Sequence, residues 1–494
     1  MRLLLAALLC TATASAATTT ENVAKYQALR SRLDTEFVVT GDAAGMSQPA
    51  DERIEPQGII RWSDSTIGLG WYIGMLATEH HLLSHPEQFP GAPGSLATTT
   101  DELYFALRAM ERLDRVADAA FPPPCTQTEE VNGFFLRDDV PAGFHTHFPP
   151  MTAMTSDFSD PTLTNKEMSQ DQVYHVLLGL ALVKALVPPQ TFAKGIDLRL
   201  WAADQGRRII EHVSKNGWAI TNPACDNRLV NRGPAAGGYS HGTRAAAGFF
   251  TDGEWLPEVE DAVAFAWELC RDPGAPQYID EDNLHMAMAI AAVGNGWGDT
   301  TATDLATLMA KEDWPAYPLA HRVIHGVDAA WCSVAPKVNA RARAMIDELP
   351  AGSEPKSPLP GGPAAHGFTV WNRFIRGKAQ HYAGSPNSEG IRYNGVDYLL
   401  LHNLYAIATP ATWSGGNGPD VPACPPVSGP KPSGGSDDGG GGCVVSPRSG
   451  SSSGALAFAL MVAGLWRMRR RRARADFTAV VTTRAQDAHR RATR

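Results

Sequence analysis

Apolar residues recur at spacings of three and four in block after block along this chain, and that period commits most of the sequence to helices packed against helices. The clearest blocks span 67–83, 101–118, 170–187, 198–216, 255–270, 282–293, 302–310, 318–327, 337–348 and 396–408, with a weaker one at 23–35. Strand-like alternation is scarce, so the expected class is all-α. Thr99-x-x-Glu102 and Ser169-x-x-Gln172 each have the form of a capping box, which supports helix starts at those points. The blocks differ in kind. Those at 67–83 and 170–187 are apolar nearly all round, whereas 198–216 carries Arg207, Arg208 and Glu211 on one face. The first kind belongs inside a fold and the second outside it.

Both ends of the chain read as targeting segments. Arg2, an apolar run from Leu3 to Leu9, and the small residues Ala14-Ser15-Ala16 form a signal peptide over 1–17 with cleavage after Ala16. At the other end, 411–453 is rich in Gly, Pro and Ser and lacks the large apolar residues a core requires, so it is expected to be a disordered linker. It leads through Cys443 to the apolar stretch 454–466, which precedes Arg467 and the run Arg469 to Arg472. Thirteen apolar residues fall short of the roughly 20 of a spanning helix. A basic tail, 473–494, follows.

Cys443, a short hydrophobic helix and an arginine cluster over 454–472 resemble the myxobacterial C-terminal sorting tag (MYXO-CTERM) in the order of their parts. The resemblance covers about thirty residues. It implies surface retention by export and sorting machinery with Cys443 the modified residue, and membrane association through the tag. Such tags stop at the arginines, whereas this chain continues to Arg494. An ordinary C-terminal anchor held by positive-inside charge is the alternative.

Charge narrows the partners. Residues 467–494 hold ten Arg and two Asp, so a whole-chain net charge of −9 leaves −17 on the remainder. A domain this acidic repels phosphate backbones, which excludes nucleic acid as a partner. Setting aside Cys10 and Cys443 leaves Cys125, Cys225, Cys270, Cys332 and Cys424. Five cannot all pair, and one or two disulfides are expected in an oxidising compartment.

Between the two ends, 18–410 is 393 residues, and twelve helices would recur about every 33 residues, a pitch that suits helical hairpins. The segments Trp62-Ser63-Asp64-Ser65-Thr66, Met168-Ser169-Gln170-Asp171-Gln172, Arg232-Gly233-Pro234 and Asn394-Gly395-Val396-Asp397-Tyr398 resemble the loop-to-inner-helix junctions of six-hairpin, (α/α)6 glycosidase-like proteins. The resemblance spans most of 55–410. It implies an (α/α)6 toroid with long loops and a carbohydrate-active cleft at the N-terminal ends of the inner helices.

Glycoside hydrolysis requires two carboxyl groups, one to protonate the leaving oxygen and one to attack or to activate water. Asp64, Asp171, Asp282 and Asp397 sit at or near expected helix starts and are the catalytic candidates. Asp at a helix start is equally a good capping residue. Asp171 stands out because Ser169 already occupies the capping position. Trp62, Gln172, Arg232, Tyr239 and His241 are the candidate substrate contacts, while Trp71 and Tyr72 read as core. The Arg137-Asp138-Asp139 turn within 126–160 could carry a further acid.

Three readings follow. The first is a glycoside hydrolase acting on polysaccharide or cell-envelope glycan. A polysaccharide lyase would use Tyr239 or His241 as base and Arg232 against a substrate carboxylate. A non-catalytic surface scaffold would bind sugar or protein with the same fold. No cofactor is expected. His80-His81, His145-x-His147 and His321-x-x-x-His325 invite a metal, but Arg322 stands where a helix-borne zinc hydrolase needs Glu, so a structural role is expected for them. The single G-x-S-x-G match, 450–454, falls in the linker and reads as chance.

Overall fold

A computed structural model describes residues 19–62, 65–120, 131–162, 166–215, 243–244, 246–255, 288–290, 292–294, 314–327, 329–349 and 391–413. All lie in the first of the chain's two units, 1–432; the second, 433–494, is outside the described residues. The signal peptide with Ala16, the tag with Cys443, and Asp64, Asp282, Arg232, Tyr239 and His241 also lie outside them.

The described part is rich in helix: α1 (Thr19–Glu36), α2 (Ser65–Ser84), α3 (Leu96–Ala120), α4 (Gln170–Leu186), α5 (Leu198–Lys215), α6 (Ala316–His325), α7 (Ala329–Glu348), α8 (Val396–Ala408) and the short α9 (Pro410–Trp413). Further helical residues occur within 243–250 and 288–293. The apolar helices α2, α4 and α8 are buried on nearly every face. Amphipathic α3 packs on α2, and amphipathic α5 packs on α4 and α3.

Glycine sets the central contact. A Cβ on Gly179 would stand 2.1 Å from the Gly70 carbonyl oxygen, and one on Gly70 would stand 2.4 Å from that of His175. The backbones of α2 and α4 therefore meet directly, which only residues without a side chain permit. Gly74 one turn on lies against Gly179 and Leu182, so the two helices run parallel.

The same direction holds for α6 and α8. Gly74 also meets Leu400, and Asn403 donates to Thr78 Oγ1 at 3.3 Å, which aligns α8 with α2. Tyr317 at the start of α6 bonds His175, while His325 at its end packs edge-on against Phe249, whose carbonyl accepts from Lys184 near the end of α4. The neighbours α1 and α3 run the other way. Tyr72 and Glu79 meet Glu102 and Thr99 in reversed order, and α1 places Arg32 on Tyr393 but Tyr26 on Asn403.

Small sheets depart from the all-α expectation. Strands β1 (Glu52–Ile54), β2 (Ile59–Trp62), β3 (Ala153–Ser156) and β6 (Ile391–Tyr393) form one sheet in the order β3-β2-β1-β6, with Glu52 opposite both Arg61 and Tyr393. A two-stranded hairpin, β4 (Phe192–Ala193) and β5 (Ile196–Asp197), links α4 to α5. Strands of two to four residues are too short to reveal an alternating pattern. The larger sheet matters for position: β2 runs into α2 and β6 into α8, so pairing both with β1 brings two helix starts to one end of the fold.

Helix α3 begins at Leu96, ahead of the start expected from the capping pattern. The reason is tertiary: Thr99 donates to Glu79 at 2.6 Å, and Glu102 turns inward to Arg30 and Tyr72. Helix α7 runs through Pro336, where the sequence pattern suggested a start just beyond it.

Candidate functional site

Because α2, α4, α6 and α8 share a direction, their N-terminal ends share one end of the fold. Their macrodipoles place positive potential there, which favours carboxylates and other anionic oxygens. Three of the sequence candidates, Asp171, Gln172 and Asp397, stand on these first turns, with Trp62 just before α2.

At the start of α4, Gln172 Oε1 accepts the Ser169 N–H at 3.0 Å, one arm of the expected capping box. The Ser169 hydroxyl turns to Asp171 Oδ1, which also accepts the Gln172 N–H at 3.0 Å. Asp171 is therefore half engaged in its own helix start. It is partly exposed, and its Oδ2 accepts no hydrogen bond among the described residues. Gln172 is fully buried, and its Nε2 has no hydrogen-bond partner among them; nor does Thr66 Oγ1 in the first turn of α2.

One turn deeper, His175 Nδ1 lies 2.6 Å from the Asp171 carbonyl and Nε2 lies 3.1 Å from the Tyr317 hydroxyl. A carbonyl cannot donate, so Nδ1 carries a proton, and in the neutral imidazole Nε2 accepts from Tyr317. The Trp71 ring meets His175 edge-on at 5.4 Å. Trp71 and Tyr72 are core, as expected, and Tyr72 donates to Glu102 at 3.1 Å.

Asp397 is buried in the first turn of α8, where its Oδ1 accepts the Tyr398 N–H at 2.9 Å. The preceding Asn394 accepts the Val396 N–H and donates to Ala50 O, just ahead of β1. Asp171 and Asp397 stand on two helices that both pack on α2, and they share the end of the fold without sharing a hydrogen bond.

Trp62 departs from its expected role as a sugar platform. It is 1% exposed, its indole N–H donates to Gln48 O at 3.2 Å, and Phe144 and Phe148 cover its ring. The Arg137-Asp138-Asp139 turn is likewise interior. Asp138 accepts from the Ser156 hydroxyl and from the Val140, Asp157 and Phe158 amides, and burial pushes its carboxyl up to about 6 against those hydrogen bonds. Asp139 binds Arg112 and the Gly45 N–H. Both carboxylates hold loops in place.

A second buried cluster was not anticipated from the sequence. Arg30 is shared by Glu79 and Glu102; Tyr26 donates to Glu79 at 2.5 Å and accepts from Asn403. Burial, together with Asp34 and Glu79 nearby, pushes Glu102 up to about 7 despite Arg30. Its members come from α1, α2, α3 and α8 and each is paired, which makes the cluster a structural clamp. Only the helical phase of Glu79 and Glu102, polar positions on inward faces, could have signalled it.

Of the histidine pairs, His321 and His325 face each other at 4.6 Å between ring centroids, and His325 Nε2 is bonded to Val293 O. No group of three or more potential metal ligands occurs among the described residues. Cys332 is disulfide-bonded. No helix among the described residues is long and apolar enough to cross a membrane. No family model matches the chain, and no curated protein or solved structure is significantly similar to it.

Proposed function

We propose that the chain is an exported surface protein whose helical domain is an (α/α)6 toroid and a glycoside hydrolase, with Asp171 as one of its two carboxyl groups. The observation that carries this reading is a set of polar atoms at the shared N-terminal end with no hydrogen-bond partner among the described residues: Asp171 Oδ2, Gln172 Nε2 and Thr66 Oγ1. Buried polar atoms ordinarily find partners. Polar groups without partners on the first turns at a common end suit a polyhydroxylated ligand. Asp397 is the second candidate on the described helices, and Asp64 and Asp282 complete the set. Export is supported by the disulfide at Cys332, since such bonds persist in oxidising compartments. Retention at the cell surface, with membrane association through 454–472, rests on the resemblance of that segment to a sorting tag.

A second reading is favoured by one contact. With a neutral imidazole, the Tyr317 phenol can pass its proton to His175 Nε2, and the phenolate left behind could abstract the proton beside a uronic acid carboxylate, which is lyase chemistry.

Reducing-end release by the mature chain on neutral and acidic polysaccharides, with unsaturated-product absorbance followed in parallel, tests both. Reducing ends without absorbance, abolished by Asp171→Asn, are the expected result. Absorbance abolished by Tyr317→Phe selects the lyase. Sugar binding without turnover leaves a non-catalytic surface scaffold.

A further inference from the structure

The described residues expose four large apolar side chains: Leu96 at 40%, Phe192 at 61%, Leu200 at 68% and Val327 at 38%. They come from four places in the sequence, yet the helix directions collect them at one end. Leu96 opens α3 just after the loop that follows α2; Phe192 is on the hairpin between α4 and α5; Leu200 is in the first turn of α5; Val327 follows the end of α6. All are at the C-terminal end of α2, α4 and α6, opposite the candidate site. Pro188 and Pro189, also exposed, precede the hairpin.

The last described residues stand at this same end. After α8, the indole of Trp413 donates to Pro90 O at 3.2 Å and packs edge-on against Phe89, in the loop that joins α2 to α3. From there 81 residues follow: the Gly, Pro and Ser-rich stretch, the apolar segment 454–466 and the arginines.

We infer that this apolar end is a lipid-contacting surface, which rests on the reading of 454–472 as a membrane tag. A bilayer holding that segment is tethered to the end of the fold that carries the exposed Leu, Phe, Pro and Val side chains. Their entry into the bilayer interface is then an intramolecular step, for which a few side chains suffice. Phe192 stands beside the hairpin tip at Lys194 and Gly195 and can enter there, while the Lys194 ammonium is drawn back over the Phe105 ring toward Asp101. Helices of 17 to 20 residues put the opposite end about 30 Å farther out. The consequence is orientation: the N-terminal ends of α2, α4, α6 and α8 face away from the membrane and toward extracellular polymer.

The test uses the mature full-length chain with phosphatidylcholine vesicles, reading flotation and amide hydrogen exchange. Flotation with at least tenfold slower exchange across 188–200, and no change across 170–175, is the expected result. The double substitution Phe192→Ser, Leu200→Ser changes only exposed side chains. It should keep flotation, through the tag, and abolish the protection. Flotation of the unsubstituted chain without protection at 188–200 overturns the surface while leaving the tag reading intact. Failure to float overturns both. Concentration-dependent protection without vesicles would assign the patch to a second copy of the chain and overturn the lipid contact.

Discussion

Substituting Gly179→Ala should destabilise the domain by about 2 kcal/mol, although alanine is the better helix former. The favourable part is the intrinsic propensity gain, about 1 kcal/mol. Against it, the new Cβ would stand 2.1 Å from the Gly70 carbonyl oxygen and 3.0 Å from its carbon. Both belong to backbone, so no rotamer change relieves the overlap, and α4 must withdraw from α2 by about 1 Å. Overpacking of this kind costs about 1–3 kcal/mol, and withdrawal also thins dispersion contacts along two fully buried helices. A graded series isolates the cause. Gly70→Ala, 2.4 Å from the His175 carbonyl, should behave similarly. Gly74→Ala meets the flexible end of Leu182 at 2.9 Å, and Gly68→Ala meets a carboxylate oxygen of Asp51 at 3.2 Å; both should lie within about 1 kcal/mol of the parent. Urea unfolding followed by helical circular dichroism reads the order directly. An unchanged or raised midpoint for Gly179→Ala, or the same loss for all four, would refute backbone contact between α2 and α4.

Four further outcomes follow from individual groups. Arg30→Met should cost about 3–5 kcal/mol, because it leaves Glu79 and Glu102 buried without their shared cation; a loss under 1 kcal/mol by urea unfolding would contradict the clamp. Burial lowers His80, His81 and His402 to about 4, so the unfolded chain binds more protons than the folded one between about pH 6.5 and 4. Stability should therefore fall as pH drops through that window, by roughly 3 kcal/mol for His402, and His402→Phe should flatten the slope of an unfolding series against pH. Glu102, raised to about 7, opposes this trend, since its folded form holds a proton from about pH 7 down to 4.5; Glu102→Gln should steepen the acid loss. Reducing the disulfide at Cys332 should lower the unfolding midpoint by an amount equivalent to about 2–4 kcal/mol, whereas an unchanged midpoint would deny it a stabilising role.

Much of the local structure was legible in the sequence because helix period and caps are local properties. The pattern across 170–187 located α4 to within a residue at its end, and Ser169 and Gln172 make the predicted cap contact. The all-round apolar character of 67–83 correctly placed α2 inside. Where local signals failed, distant partners had intervened. Thr99 and Glu102 looked like a capping box, but Glu79, Arg30 and Tyr72 draw them inward, so α3 starts earlier. Trp62 had the composition of a sugar platform, yet Phe144 and Phe148, more than eighty residues on, enclose it. Short strands escaped notice because three residues carry almost no periodic signal, and their pairing joins segments over three hundred residues apart.

Sequence by itself thus determined which segments coil and which faces of them are apolar, since both follow from neighbours within a turn or two. Tertiary structure alone decided that α2, α4, α6 and α8 point the same way, that Gly70 and Gly179 touch, and that Asp171 stands at one end while the exposed Leu, Phe and Val side chains gather at the other. Direction and end are properties of how helices pack, and packing is settled by contacts between residues that the chain holds a hundred or more positions apart.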